Sequence, residues 1–227
     1  MSWVFPPPAQ PALPIQGAST FFPVRRIYCV GRNYGEHARE MGHDPDAEPP
    51  FFFQKPSTAL VQSQAILPYP PQTTDLHHEA ELVVALASGG ADLTEDQALA
   101  CVFGYASGND LTRRDLQAAA KAARRPWDMA KGFDHSAVIG PITAMPGQLP
   151  PDARISARTD GNLRQDARLS DMIWSVPALL SHLSRLVSLA PGDLVMTGTP
   201  AGVGPIQRGQ TCTVSISGLA DAVVTVV

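Results

Sequence analysis

The residues best suited to chemistry lie in His77-His78-Glu79-Ala80-Glu81-Leu82-Val83-Val84. Side chains alternate faces on a strand, so Glu79 and Glu81 point the same way if this segment is extended. Two carboxylates side by side repel unless a positive charge lies between them. A hard divalent cation with oxygen ligands supplies that charge. Spacing alone does not select this reading, because two glutamates two apart are ordinary on a solvated strand face. Asp110 shifts the balance. It follows the strand-like Val102 to Ala106, and Gly104 and Gly108 permit close backbone approach there. Three carboxylates, completed by waters or a chelating substrate, suit octahedral Mg2+ or Mn2+, with Ca2+ as a substitute. Imidazole ligands would favour zinc or iron instead, so His77 and His78 are read as supporting residues beside an all-oxygen set.

A second constellation is His37 with Glu40. Three apart on a helix, they share a face. A carboxylate beside an imidazole orients the ring and raises its basicity, which is what activating a water requires. On spacing alone the commoner arrangement is an exposed pair on a surface helix.

The elements that must position these groups follow from pattern. Arg26 to Val30 reads as a strand ended by Gly31, and Tyr34 to Met41 as a short helix stopped by Gly42. Phe51 to Phe53 and Glu79 to Ala87 read as strands. Thr94 with Gln97 has the capping-box pattern for a helix to about Cys101, and Val102 to Ala106 is a further strand. Thr112, with Asp115 three residues on, predicts a helix start that the alanine-rich 116–123 stretch extends. Asp160-Gly161 between Ile155 to Thr159 and Leu163 to Ala167 signals a hairpin. Ser175 and Pro177 open the longest helix, with Leu179, Leu180, Leu183 and Leu186 turned to the core. Leu194 to Thr197 runs into a glycine-rich turn, and the valine-rich tail reads as a closing strand pair. Strands predominate without a βαβ rhythm, so the fold class is α+β, predominantly β.

Bulk properties narrow the function. The chain has 227 residues, enough for a sizeable core. It is 44% hydrophobic and 17% charged, which is globular rather than disordered. The net charge of -4 and pI near 5.8 come with no basic stripe, which argues against a nucleic-acid partner. Lys121, Arg124 and Arg125 read as a solvated helix face. No apolar run has the length of a membrane helix and no secretory signal opens the chain, so a cytoplasmic protein is expected. Cys29, Cys101 and Cys212 read as reduced core residues. Six prolines in the first 23 residues mark an extended arm over 1–24, ahead of a catalytic domain over 25–227.

Taken in order, several segments resemble the fumarylacetoacetate hydrolase family. They are Val30-Gly31-Arg32-Asn33-Tyr34, Phe53-Gln54-Lys55-Pro56, His78-Glu79-Ala80-Glu81, Asn109-Asp110 through Arg114-Asp115-Leu116-Gln117, Ala130-Lys131-Gly132-Phe133-Asp134, and Gly192-Asp193 through Thr197-Gly198-Thr199-Pro200 with Gly202-Val203-Gly204-Pro205. The resemblance runs from about residue 25 to the C-terminus. It implies a mixed β-sandwich roll with a few short helices, usually a homodimer. It implies that Glu79, Glu81 and Asp110 bind Mg2+ or Mn2+ and that His37 and Glu40 activate water. Lys131 would lie by the metal, Arg114, Gln117 and Thr199 would bind substrate oxygens, and Lys55 is a weaker correspondence that suits a structural role. Arg113, where many members carry a small residue, would reshape the substrate pocket. The proline-rich start and Gly132-Phe133-Asp134-His135-Ser136 look like the subgroup that cleaves fumarylpyruvate in gentisate degradation.

The reaction so implied is hydrolysis of a carbon–carbon bond in a 2,4-dioxo acid, with fumarylpyruvate giving fumarate and pyruvate. The same site chemistry serves acylpyruvate hydrolysis, oxaloacetate decarboxylation and isomerisation of related oxo acids. A reading from another class is a binding module stabilised by Ca2+. The turn from Gly198 to Gly204 lacks the Gly-Lys-Ser/Thr ending of a phosphate loop.

Overall fold

The computed structural model describes residues 3–35 and 49–227. The expected helix from Tyr34 to Met41 falls mostly outside them. The largest sheet runs Phe52–Lys55, Arg26–Val30, Asp193–Met196, Ala80–Leu86, Val102–Asp110, Ala137–Ile139 and Leu60–Gln62, with Thr143–Ala144 also paired to Val102–Asp110. Two of its pairings are parallel, Asp193–Met196 with Arg26–Val30 and Ala137–Ile139 with Leu60–Gln62. A second sheet is ordered Asn162–Arg168, Arg154–Thr159, Thr211–Ile216, Ala222–Val226 and Ala65–Leu67. This is the mixed, predominantly β architecture expected.

The strand Ala80–Leu86 is central, and every residue in it is buried. Its alternation sends Leu82, Val84 and Leu86 into one apolar cluster with Ile155, Ala157, Val214 and Leu179, Leu180 and Leu183 of helix Val176–Leu186. Val83 and Ala85 enter another, with Ile27, Cys29, Ala106, Leu194 and Met196. Glu79 and Glu81 have the parity of Val83 and Ala85, so they continue the second face beyond its apolar end. A solvated strand face is therefore excluded.

Local signals produced the expected elements where one turn of chain sufficed. Thr94 and Gln97 form the capping box of helix Glu95–Ala100. Ser175 accepts from Ala178 N at the start of Val176–Leu186. Asp160 (φ 48°) and Gly161 (φ 79°) take the left-handed turn joining Arg154–Thr159 to Asn162–Arg168. The three cysteines are buried and free.

Three expectations are corrected. Thr112 caps no helix. It pairs with His77 in a short strand and donates its hydroxyl to Asp110 O (3.0 Å). The helix starts at Arg114, and the Asp115 carboxylate instead accepts from Thr73 Oγ1, Thr74 N and Leu116 N. Leu186 is 69% exposed, because the last turn of its helix passes the edge of the core. The strand from Val102 runs on to Asp110, since its pairing with Ala80–Leu86 and Ala137–Ile139 continues.

Within residues 3–24, Ala12–Pro14 pairs with Phe21–Pro23, and Leu13, Phe22 and Val24 are buried beside Ile27. No helix of the described residues is long and apolar enough to cross a membrane.

Candidate metal centre

Adjacent strands bring the acidic residues together. Glu81 pairs with Gly108, and Asp110 N donates to Glu79 O (2.9 Å). Gly108 presents no side chain opposite Glu81, and Val83 Cγ2 and Met196 Cε fill the place a Cβ would take, at 2.5 and 3.2 Å from it. One ligand oxygen each from Glu79, Glu81 and Asp110 lies within 4.8 Å of the others, and all three residues are buried.

Cations from distant segments converge on them. Lys131, at the end of helix Asp128–Lys131, donates through Nζ to Glu79 Oε2 and Asp110 Oδ2, both at 2.7 Å. Lys55, fully buried on strand Phe52–Lys55, pairs with Asp110 Oδ1 at 2.7 Å and also donates to the Leu111 and Lys131 carbonyls. Arg114, the first residue of helix Arg114–Ala122, reaches Glu79 Oε1 (2.5 Å), Gln117 Oε1 (2.6 Å) and His77 Nδ1 (3.3 Å). Burial acts to lower the Lys131 pKa, but Asp110 and then Glu79 outweigh it and hold the ammonium protonated.

Glu81 is different. Among the described residues no side-chain cation pairs with it, and its Oε2 accepts only from Gly198 N (2.8 Å). Burial, then Asp110, then Glu79 push its carboxyl well above the usual range. A buried carboxylate facing two others without its own counter-charge fits a divalent ion at their common centre. Three hard oxygen donors suit Mg2+ or Mn2+.

Gly198 sits in the glycine-rich turn after strand Asp193–Met196. Its φ is +96°, and a Cβ there would lie 2.8 Å from Asn33 Cβ. Asn33 locks the turn by donating to Thr197 O (2.9 Å) and Trp174 O (3.0 Å) while accepting from Trp174 N (2.7 Å). Thr199 follows, buried and tied to the second sheet by Gln165.

Hydrogen-bond polarity is fixed along this chain. Ala80 N donates to Gln165 Oε1 (3.0 Å), so that atom is the carbonyl oxygen. His78 Nδ1 (3.0 Å) must then be the protonated ring nitrogen. Gln165 Nε2 donates to Pro200 O (2.8 Å) and Thr199 Oγ1 (2.7 Å). Thr199 thus accepts from Gln165, and its own proton is left to point elsewhere. Burial lowers the His78 pKa, which keeps the ring neutral.

Of the residues singled out in the sequence, Glu79, Glu81, Asp110, Lys131 and Gln117, all buried, meet in one cluster with the partly exposed Arg114, and Thr199 lies on the turn whose preceding amide contacts Glu81. His37 and Glu40 lie outside the described residues. Arg113 does not face the carboxylates. It stacks over the Phe133 ring (4.3 Å) and donates to Pro71 O (3.0 Å), lining a neighbouring cavity with Leu67, Tyr69, Leu76 and Leu111. Gln165 and Gly198 were not anticipated in these contacts. A lone glutamine on a hairpin strand carries no signal, whereas Thr197-Gly198-Thr199 flagged its turn without its amide.

A mostly β fold with a buried all-oxygen carboxylate cluster has the makings of a divalent metal centre, with Mg2+ or Mn2+ as the ion its donors fit. A family model described as fumarylacetoacetate (FAA) hydrolase C-terminal matches residues 26–227. The chain belongs to the fumarylacetoacetate hydrolase family, and is an enzyme rather than a metal-stabilised binding module. It is 48% identical to fumarylpyruvate hydrolase from Pseudomonas aeruginosa, whose crystal structure holds Mn2+ and pyruvate. The two match over 100% of this chain and 99% of that one with a TM-score of 0.97. It is 39% identical over 197 residues to a mitochondrial oxaloacetate tautomerase from Arabidopsis thaliana, covering 86% of this chain and 88% of the relative. It is 38% identical over 183 residues to a fumarylpyruvate hydrolase from a Ralstonia species, covering 81% and 95%.

Proposed function

We propose that this chain is a Mg2+- or Mn2+-dependent hydrolase that cleaves fumarylpyruvate to fumarate and pyruvate. The observation that carries the proposal is the whole-chain likeness to the manganese- and pyruvate-bound fumarylpyruvate hydrolase, which extends over the carboxylate cluster. Glu79, Glu81 and Asp110 hold the ion, which when bound supplies Lewis-acid polarisation to a 2-oxo acid.

The other groups have separate tasks. An ammonium has three donors. Lys131 commits two to Glu79 and Asp110, leaving the third for a substrate oxygen where charge develops. Arg114 and Gln117, already joined, present further donors to the acid. Thr199, accepting from Gln165, turns its own proton to a substrate carboxylate. His37, oriented by Glu40, takes a proton from water. The water oxygen bonds to C4, the C3–C4 bond breaks, its electron pair goes to the pyruvate fragment, and C3 is then protonated. The residues work as a catalytic domain over 25–227 preceded by the 1–24 arm, in a cytoplasmic homodimer serving aromatic catabolism through gentisate.

A second reading is oxaloacetate tautomerisation, favoured by the 39% identity to the plant enzyme. It moves protons and needs no attacking water. Purified chain with Mn2+ is assayed for pyruvate release from fumarylpyruvate, maleylpyruvate, acetylpyruvate and oxaloacetate. Equimolar fumarate and pyruvate, lost in His37→Ala, is the expected result. Oxaloacetate enol–keto exchange with no cleavage of any dioxo acid would replace the hydrolase reading with the second.

A further inference from the structure

The stretch Lys121, Arg124, Arg125 reads in the sequence as one solvated face, but the structure divides it. Arg124 and Arg125 are exposed, while Lys121 is half-buried. In helix Arg114–Ala122, Lys121 stands at i+7 from Arg114 and i+4 from Gln117, so the three form one stripe. Lys121 lies about 10 Å along the helix axis from Arg114.

Aromatic rings connect Lys121 to Lys131. Lys131 Nζ lies 5.2 Å from the Phe53 ring centroid, Phe53 stands 5.9 Å from Trp127 edge to face, and Lys121 Nζ lies 5.1 Å from the Trp127 ring. Phe51 closes on Trp127 at 5.5 Å and carries Arg32 over its ring at 5.2 Å. The result is a wall of rings leading away from the carboxylate cluster, with an ammonium at each end.

Among the described residues Lys121 makes no ion pair with an acid. Burial, then Arg114, then Arg32 lower its pKa, against a smaller raising effect of Glu79. A half-buried lysine held among other cations gains by meeting an anion.

We infer that Lys121 is a specificity-determining residue that receives the second, distal carboxylate of a diacid whose 2-oxo acid end lies at Glu79, Glu81 and Asp110. The aromatic wall between accommodates the flat, unsaturated middle of such an acid. This selects dianionic over monoanionic 2-oxo acids. It rests on the proposed function for the placement of the 2-oxo end, but not for the hydrolytic step.

The test uses a matched ligand pair, 2-oxoheptanedioate and 2-oxoheptanoate, which have the carbon count of fumarylpyruvate and differ only in the distal carboxylate. Calorimetry measures the binding of both to Mn2+-loaded wild type, Lys121→Met and Lys121→Arg. Wild type is expected to prefer the diacid by about tenfold or more, the size of one charge-assisted contact. Lys121→Met should abolish that preference by weakening the diacid alone, and Lys121→Arg should restore most of it. A residue that only packed on Trp127 would move both ligands together. Equal weakening of both, or an undiminished preference in Lys121→Met, would overturn the inference. If the preference is lost as expected while fumarylpyruvate is not cleaved by wild type, the hydrolase reading falls and the Lys121 assignment stands.

Discussion

Replacing Glu81 by Gln should stabilise the metal-free protein and abolish its response to metal. The two carboxylate neighbours of Glu81 lie within 4.8 Å of it. At that separation each like-charge pair costs about 3 kcal/mol at an effective dielectric near 20. Lys131 and proton uptake offset part of this, since the Glu81 carboxyl titrates well above the usual range. A glutamine keeps the acceptor for Gly198 N and turns an amide N–H toward Glu79 and Asp110. The net gain should be about 1–3 kcal/mol, or roughly 3–10 °C in melting temperature for a chain of this size. Wild type at saturating Mn2+, about 100 times its Kd, should gain about 2.7 kcal/mol, and Glu81→Gln close to none. Thermal melts of chelator-treated protein, with and without Mn2+, read both effects. A Glu81→Gln protein that melts below wild type without metal, yet shifts equally with it, would refute the electrostatic reasoning.

The opposite change is Lys131→Met, which leaves Glu79 and Asp110 without a shared cation. It should destabilise the metal-free protein by about 3–5 kcal/mol, and Mn2+ should recover part of that loss in denaturant titrations. Gly198→Ala forces an L side chain to φ +96° against Asn33, at a cost of about 1–3 kcal/mol. Because it also displaces the amide on Glu81, Mn2+ affinity should fall with the denaturation midpoint. Tyr105, buried with its hydroxyl donating to Gly147 O, has its pKa pushed up by burial to about 12 from 10. A raised pKa makes its contribution complete below pH 10 and lost as pH rises through about 12. Tyr105→Phe should therefore flatten that alkaline decline while costing about 1 kcal/mol at neutral pH, both measurable by melting across pH.

What was legible in the sequence was what one turn of chain decides. The Asp160-Gly161 hairpin, the Thr94 capping box and the Ser175 cap each use neighbours within a few residues. The shared face of Glu79 and Glu81 followed from strand parity alone. Their burial did not, because it depends on both faces of Ala80–Leu86 being covered by segments distant in sequence, Ile27 and Cys29 on one face and Ile155, Ala157 and Val214 on the other. Spacing alone could not place Lys55 and Lys131, whose counter-charge comes from other elements. Gln165 was invisible for the same reason, since its value lies in bridging two sheets. Thr112 failed as a cap because pairing with His77 took it into a strand, and Leu186 because amphipathic spacing does not say where a helix leaves the core.

The central claim is that Glu79, Glu81 and Asp110 hold the ion to which a 2-oxo acid binds. Calorimetric titration tests it most directly, with Mn2+ added to chelator-treated wild type and Glu81→Ala, followed by pyruvate. The account predicts a single tight ion per wild-type chain, a loss of more than about 100-fold in Glu81→Ala, beyond what supporting contacts alone reach, and pyruvate binding only to the loaded wild type. Undiminished Mn2+ binding in Glu81→Ala, or pyruvate binding that survives chelation, would contradict it.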